Sequence, residues 1–291
     1  MKPESTNHLL LCYYGDDFTG STDSMEALAA HGVKTVLFLQ PPTIEQLKEK
    51  FPDIQCFGVA GTSRSMTPEA MERELQQVFR QLQLFKTPIV HYKVCSTFDS
   101  SPAVGSIGKV IDIGKQRFAE SRVIPLLVGA PALQRYTVFG NHFATVCEDT
   151  YRLDRHPTMS KHPITPMHES DLRIHLNNQT SSKIALMDLF DLEGDLDAVI
   201  QRFERRLESR PDVMLFDVFD QKRLETAGAL LWRETQTTQL FVVGSSGVQY
   251  ALTSYWKSQG MIDGSNLESM NHCQPVEQLL VISGSCSPVT R

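Results

Sequence analysis

The sequence lacks both a long hydrophobic segment and a cluster of basic residues, and each absence excludes a class of protein. The first apolar run, at residues 9–14, is too short for a membrane span or for the apolar region of a signal peptide. Lys and Arg are scattered, and the formal net charge is -6, so no nucleic-acid surface is indicated. We therefore expect a cytoplasmic protein that acts on a small molecule, without membrane or nucleic-acid partners.

Closely spaced metal-binding or redox residues are also missing. No two cysteines form a CxxC pair, and Cys12, Cys56 and Cys95 fall in or beside apolar runs, which predicts reduced thiols in a core. Four histidines are separated by five or six intervening residues, a spacing that fits no usual zinc site. These are His156, His162, His168 and His175. We expect no metal site in the chain.

The chain does contain enough apolar material for a large core, with 41% hydrophobic residues among 291. Strand-like runs alternate with segments of helical period, which is the βαβ pattern. Strands are predicted at 9–14, 33–39, 56–60, 89–95, 123–129, 183–189 and 213–219, helices at 24–31, 68–85, 107–118, 170–178 and 196–207, and a strand–loop–helix unit at 240–255. The runs at 89–94 and 123–128 are apolar almost throughout, as in strands covered on both faces. We predict a doubly wound, mostly parallel, Rossmann-like α/β fold, with a long loop at 151–167.

Ligands of such sheets bind beyond the carboxyl ends of the strands, so the loops that follow strands are the candidate sites. The first of these loops carries two adjacent carboxylates, Asp16 and Asp17. One carboxylate is suited to act as a general base toward a sugar hydroxyl while the other binds a neighbouring hydroxyl. The alternative is that one of them only caps the following helix. Position in the sequence leaves both interpretations open.

Three further loops bear polar groups. Arg64 follows the predicted strand 56–60 and is suited to bind a carboxylate or phosphate, or else to pair with any surface acid. Lys93 ends an apolar strand before Ser96 and Thr97, where an ammonium, hydroxyls and a helix N-terminus favour an anion or a polyol. The Gly/Ser segments 244–247 and 283–285 match neither GxGxxG nor a P-loop, so a plain strand-to-helix turn is the simpler reading.

These motifs, taken in order, resemble the four-carbon acid sugar kinase family, once a family of unknown function, which includes 3-oxo-tetronate, threonate and erythronate kinases. The motifs are GDDFTG at 15–20, KVCST at 93–97 with DSS at 99–101, PMHESDL at 166–172, GSSG at 244–247 and SGSCSPVT at 283–290. One segment departs from the family pattern, because residues 133–140 stand where a Gly-Arg-Thr-like loop is expected.

The resemblance implies a sugar-acid-binding domain at 1–260 and, at 261–291, a linker and the first strand of a truncated ATP-binding domain. It implies that Asp16 and Asp17 bind substrate hydroxyls and supply the catalytic base. Arg64, Lys93, Ser96 and Thr97 would bind the carboxylate and the other hydroxyls. Ser283 and Ser285 would begin the ATP site, and ATP would arrive with Mg²⁺. A homodimer is left open.

Two rival interpretations remain beside an ATP-dependent kinase. A chain without the ATP-binding domain would bind a sugar acid without phosphorylating it. A phosphatase of the haloacid dehalogenase class is suggested by residues 17–20, but that class requires an Asp where Thr19 stands.

Overall fold

A mostly parallel sheet forms the centre of the computed structural model, which describes residues 9–262 together with 277, 278 and 280. The strands are β1 (Leu11–Gly15), β2 (Thr35–Phe38), β3 (Cys56–Ala60), β4 (Ile89–Lys93), β5 (Ile124–Leu127), β6 (Arg135–Val138), β7 (Asn141–Val146), β8 (Asp149–Arg152), β9 (Ile184–Met187), β10 (Val213–Phe216) and β11 (Leu240–Gly244). Eight of them form one sheet in the order β2-β3-β1-β4-β11-β5-β10-β9, and all of its pairings are parallel. The predicted doubly wound α/β fold is confirmed.

Helices cover both faces of this sheet. They are α1 (Phe18–Ala29), α2 (Ile44–Lys50), α3 (Pro68–Gln83), α4 (Ile107–Arg117), α5 (Leu172–Asn177), α6 (Leu196–Leu207), α7 (Gln221–Glu234) and α8 (Gly247–Ser258). One apolar cluster joins the sheet to α3, α4 and α5, and a second cluster joins it to α6, α7 and α8. Burial of the sheet on both faces explains why β1, β3, β4, β5, β10 and β11 are buried along their whole length.

The order of the strands reverses between β1 and β4. From β1 the chain proceeds outward on one side to β2 and returns through β3, whereas β4 lies on the other side of β1. Loops that leave neighbouring strands at such a switch point separate and open a crevice. The segments after β1 and β4, which carry Asp16 and Thr97, therefore begin at the place where this fold binds ligands.

A small antiparallel sheet of β6, β7 and β8 was not predicted from the sequence. It attaches to the end of β10 because the Asp217 carboxylate accepts hydrogen bonds from the backbone N–H groups of Phe139 (2.6 Å) and Gly140 (2.9 Å). Burial raises the pKa of Asp217 from its usual value to about 6, although the two backbone donors favour the charged form. The predicted loop at 151–167 holds the end of β8 and two 3₁₀ turns, Leu153–Arg155 and Met159–Lys161.

The main differences from the predicted helices are one shifted N-terminus and two helices that were not predicted. Helix α1 begins at Phe18 and not at residue 24, since its first turn consists of exposed or small residues with no apolar period. The short α2, with a capping box between Thr43 and Gln46, and the longer α7 were not predicted. Helix α6, by contrast, spans the predicted residues 196–207.

The C-terminal segment and the cysteines were also the subject of predictions. Most of the predicted segment 261–291 lies outside the described residues, and so do Ser283 and Ser285. Within the described part, Cys12, Cys56, Cys95 and Cys147 are free. Cys12 and Cys56 are buried as predicted, whereas Cys95, which follows the end of β4, is only half-buried. No helix among the described residues has the length and apolar character needed to cross a membrane.

Candidate functional site

A cavity of about 350 Å³ opens beyond the carboxyl ends of β1 and β3. Its wall combines the loop after β1, the loop after β3, the segment that follows β4 and the long loop before α5. The residues that line it are Asp16, Asp17, Phe18, Gly61, Thr62, Arg64, Ser65, Asp99, His162, Ile164 and Thr165. Three of the predicted site residues, Asp16, Asp17 and Arg64, thus come together at one cavity.

Arg64 binds both aspartates of the first loop. Its Nε and Nη2 donate to the two carboxylate oxygens of Asp16 at 3.0 and 2.7 Å, and its Nη1 donates to Asp17 Oδ2 at 2.7 Å. The Asp16 side chain is 6% exposed and the Arg64 side chain 25% exposed, so this bidentate pair is largely removed from water. Burial raises the pKa of Asp16 above its usual value, against the opposing effect of the Arg64 guanidinium.

Asp17 also caps helix α1. Its Oδ1 accepts a hydrogen bond from the Gly20 N–H at 2.7 Å, which satisfies one of the unpaired donors of the first turn. The capping interpretation is therefore correct for Asp17, but its other oxygen binds Arg64 and its side chain lines the cavity. Structural and binding roles are compatible at this residue.

Gly20 leaves room for the charged groups behind this wall. A Cβ atom there would lie 2.6 Å from Asp17 Oδ1 and 2.9 Å from the ammonium of Lys93. The buried Lys93 ammonium pairs with Asp23 on α1 at 3.1 Å and does not line the cavity. Lys93 therefore lies behind Asp17, one layer away from the cavity in which the sequence analysis placed it.

The segment after β4 contributes a carboxylate to the cavity, Asp99. Thr97 Oγ1 donates to Asp99 Oδ1 at 2.7 Å, and Thr165 Oγ1 donates to Asp99 Oδ2 at 3.1 Å. Thr97 thus contacts the site through Asp99, whereas Ser96 lies outside the cavity and its carbonyl oxygen pairs with His142 Nε2 at 2.8 Å. Asp99 belongs to the DSS motif at 99–101 but was not predicted as a site residue.

The long loop 151–167 supplies the opposite wall. His162 Nδ1 accepts a hydrogen bond from the Thr165 N–H at 3.0 Å, which fixes the loop where Thr165 reaches Asp99. Sequence reasoning missed His162 and Thr165 as site residues because no local pattern shows that this loop folds over β1. The described residues contain no group of three His, Cys, Asp or Glu side chains arranged to hold a metal ion.

The Gly/Ser turn between β11 and α8 is a packing feature. A Cβ atom at Gly247 would lie 2.1 Å from the carbonyl oxygen of Gly129, so a side chain there would collide with backbone. Ser245 Oγ donates to the Val128 carbonyl at 2.6 Å and accepts from the Gly247 N–H at 2.9 Å. These contacts are those of a plain strand-to-helix turn, the simpler of the two readings of this segment.

Comparisons with known proteins agree with this architecture. A 3-oxo-isoapionate kinase of Paraburkholderia graminis is 50% identical over 97% of this chain and 58% of that protein. A 3-oxo-tetronate kinase of Pectobacterium atrosepticum is 28% identical over 94% of this chain and 61% of that protein. A crystal structure of a Haemophilus influenzae protein of family DUF1537 superimposes with a TM-score of 0.74 at 21% identity, covering 88% of this chain and 57% of that one.

The chain spans about three fifths of the length of these relatives. A family model described as "Sugar-binding N-terminal domain" matches residues 11–252, which include every element of the parallel sheet and the whole cavity wall. The chain belongs to this family of sugar-binding N-terminal domains.

Proposed function

We propose that this chain is the substrate-binding part of an ATP-dependent sugar-acid kinase and that it binds the sugar acid in the cavity at Asp16, Asp17, Arg64 and Asp99. The relatives carry kinase names, and the family model describes a sugar-binding domain. The transferred group would be a phosphoryl group, with a hydroxyl of the acid as acceptor.

One observation carries the proposal: three carboxylates and a single guanidinium line a cavity at the switch point of the sheet. Carboxylates accept hydrogen bonds in directions that suit the hydroxyls of a polyol, and Arg64 holds two of them in fixed orientations. Phosphoryl transfer depends mainly on such positioning and on charge compensation. The cavity therefore offers more carboxylate oxygens to bind the hydroxyls of the acid than cations to bind its carboxylate.

The carboxylate of the acid is assigned to Arg64. A guanidinium has five N–H donors, and three of them bind Asp16 and Asp17, so two remain for a ligand. Lys93 would add positive charge from behind Gly20, and Thr97 would act through Asp99. Ser96 would contribute to acid binding indirectly, by fixing the loop that carries Asp99.

ATP and Mg²⁺ belong to the proposal because kinases of this type use them. Mg²⁺ would be held mainly by phosphates and water, as in many kinases. Ser283 and Ser285 remain proposed ATP contacts. The preferred acid is proposed to be a 3-oxo acid, and 3-oxo-isoapionate is tested first because that relative shares 50% identity.

The test is calorimetric titration of the chain with 3-oxo-isoapionate, 3-oxo-tetronate, erythronate and threonate, followed by an ADP-release assay with Mg-ATP. Arg64→Lys is expected to weaken binding about tenfold or more, because Lys keeps the charge but loses the paired donors. Arg223→Lys is the matched control, since Arg223 pairs with Asp220 at 2.6 Å away from the cavity wall. Binding with ADP release supports catalysis by this chain. Binding without ADP release supports a substrate-binding part that lacks its catalytic partner, or a non-catalytic sugar-acid-binding protein, and no binding contradicts both.

A further inference from the structure

The three carboxylates of the cavity differ in their partners. Both oxygens of Asp16 and one oxygen of Asp17 bind the Arg64 guanidinium, and the other oxygen of Asp17 caps α1. Asp99 has only neutral partners among the described residues, the hydroxyls of Thr97 and Thr165. Asp99 is therefore the cavity carboxylate whose charge is not compensated by a cation.

Asp99 is nonetheless held in a defined position. The residue is 6% exposed, and each of its oxygens accepts one hydroxyl hydrogen bond from a different side of the cavity. The preceding residue, Phe98, has a φ of 56°, a left-handed conformation that is unfavourable for a bulky side chain, and its ring is fully buried. Backbone strain of this kind persists only where the surrounding packing enforces it, and the next residue, Asp99, lies in the cavity wall.

A carboxylate offers about four lone-pair positions, and the two threonines occupy two of them. Asp99 can accept a further hydrogen bond from a ligand without giving up its present ones. Asp16 differs, because protonating it or turning it toward a ligand would break the bidentate pair with Arg64.

We propose that Asp99 is the residue that binds and deprotonates the hydroxyl of the sugar acid that receives the phosphoryl group. The inference rests on the proposed function and replaces the base role that the family resemblance gives to Asp16 and Asp17. The proton of the hydroxyl passes to an Asp99 oxygen, and the hydroxyl oxygen forms the bond to the terminal phosphorus of a nucleoside triphosphate. The bond from that phosphorus to the bridging oxygen breaks, and the nucleoside diphosphate leaves with its electron pair.

Thr165 and His162 provide an exit for that proton. Thr165 Oγ1 lies 3.1 Å from Asp99 Oδ2 and 2.9 Å from His162 Nδ1, and its one hydrogen is donated to Asp99 while that carboxylate is charged. Once Asp99 holds the proton of the substrate, the Thr165 hydroxyl turns to accept from Asp99 and to donate to Nδ1.

The experiment compares wild type, Asp99→Asn and Asp112→Asn by calorimetric titration with erythronate and with its three analogues that lack one hydroxyl, 2,3-, 2,4- and 3,4-dihydroxybutanoate. Asp112 is the matched control, because it also accepts from two hydroxyls, those of Thr180 (2.6 Å) and Ser182 (3.4 Å), but does not line the cavity. Asp99→Asn is expected to weaken the binding of erythronate about 10- to 100-fold. The affinity for the analogue that lacks the hydroxyl bound by Asp99 should stay unchanged. Where the wild-type chain releases ADP from Mg-ATP, Asp99→Asn is also expected to lower kcat about 100-fold or more.

Equal losses for all four acids would show a merely structural role for Asp99 and overturn the inference, as would no loss. A selective loss in Asp17→Asn instead would return the role to Asp17. If Asp99→Asn does not fold by circular dichroism, Asp99→Glu serves, because it keeps the charge and displaces the carboxylate by one methylene, and the same selective loss is expected. Failure of the wild-type chain to bind any of the acids would refute the proposed function itself.

Discussion

Replacement of Arg64 by alanine is expected to lower the free energy of unfolding by about 3–5 kcal/mol. The change removes the guanidinium from Asp16, whose side chain is 6% exposed, and from its neighbour Asp17. Two adjacent carboxylates would then share a largely dry site with no direct cation, and an uncompensated buried charge is the costly outcome of breaking a buried pair. The Lys93 ammonium behind Gly20 compensates in part, which favours the lower end of the range.

The loss should depend on pH in a defined direction. Burial raises the pKa of Asp16 in the folded chain, and without Arg64 the opposing effect disappears, so the pKa rises further. A group whose pKa is raised by folding contributes stability at low pH and loses it as the pH increases through that pKa. The difference between wild type and Arg64→Ala should therefore be larger at about pH 8 than at about pH 5.

The assay is urea unfolding followed by circular dichroism at both pH values. Arg223→Ala is the control, since its partner Asp220 is 39% exposed and such a pair is worth less than about 1 kcal/mol. Adding Asp16→Asn to Arg64→Ala should restore part of the lost stability, because it removes one of the unpaired charges. A loss for Arg64→Ala no larger than that of the control, or one independent of pH, would refute the reasoning.

Three further outcomes are expected. Gly20→Ala should displace the Asp17 side chain and weaken sugar-acid binding in calorimetry while the melting temperature changes little, because its close contacts are with ends of flexible side chains; a large drop in melting temperature would contradict this. Gly247→Ala, which meets backbone at 2.1 Å, should lower the melting temperature sharply, and an unchanged value would contradict the packing role. Folding raises the pKa of Asp217 to about 6, so wild type should lose about 3 kcal/mol of its free energy of unfolding between about pH 4 and about pH 6. Asp217→Asn should not show this loss. Parallel pH profiles of the two proteins in urea unfolding would contradict the prediction.

The parallel sheet was predictable because its strands are buried on both faces and their apolar runs stand out between helices. The antiparallel β6–β8 sheet was not, since its burial is mixed along each strand and its attachment depends on Asp217, which lies far away in the sequence. Helix α7 did carry a usable signal, with Asp220 as N-cap and buried Leu224, Ala227 and Leu231 at helical spacing.

Part of the candidate site was likewise predictable from the sequence and part was not. Asp16, Asp17 and Arg64 could be placed at one edge of the sheet because each follows a strand, and the structure brings them together. Their mutual pairing was not predicted, because the sequence does not show that Arg64 turns toward the first loop. The environment of Asp99 depends on a contact with Thr165, 66 residues away, which no local pattern reports.

The most direct test of the account is a crystal structure of this chain with bound erythronate or 3-oxo-isoapionate. We expect the acid to occupy the cavity between Arg64 and Asp99, with its carboxylate at Arg64 and one hydroxyl within hydrogen-bond distance of Asp99. An acid that binds elsewhere on the chain, or one whose hydroxyls contact none of the three cavity aspartates, would contradict the central claim.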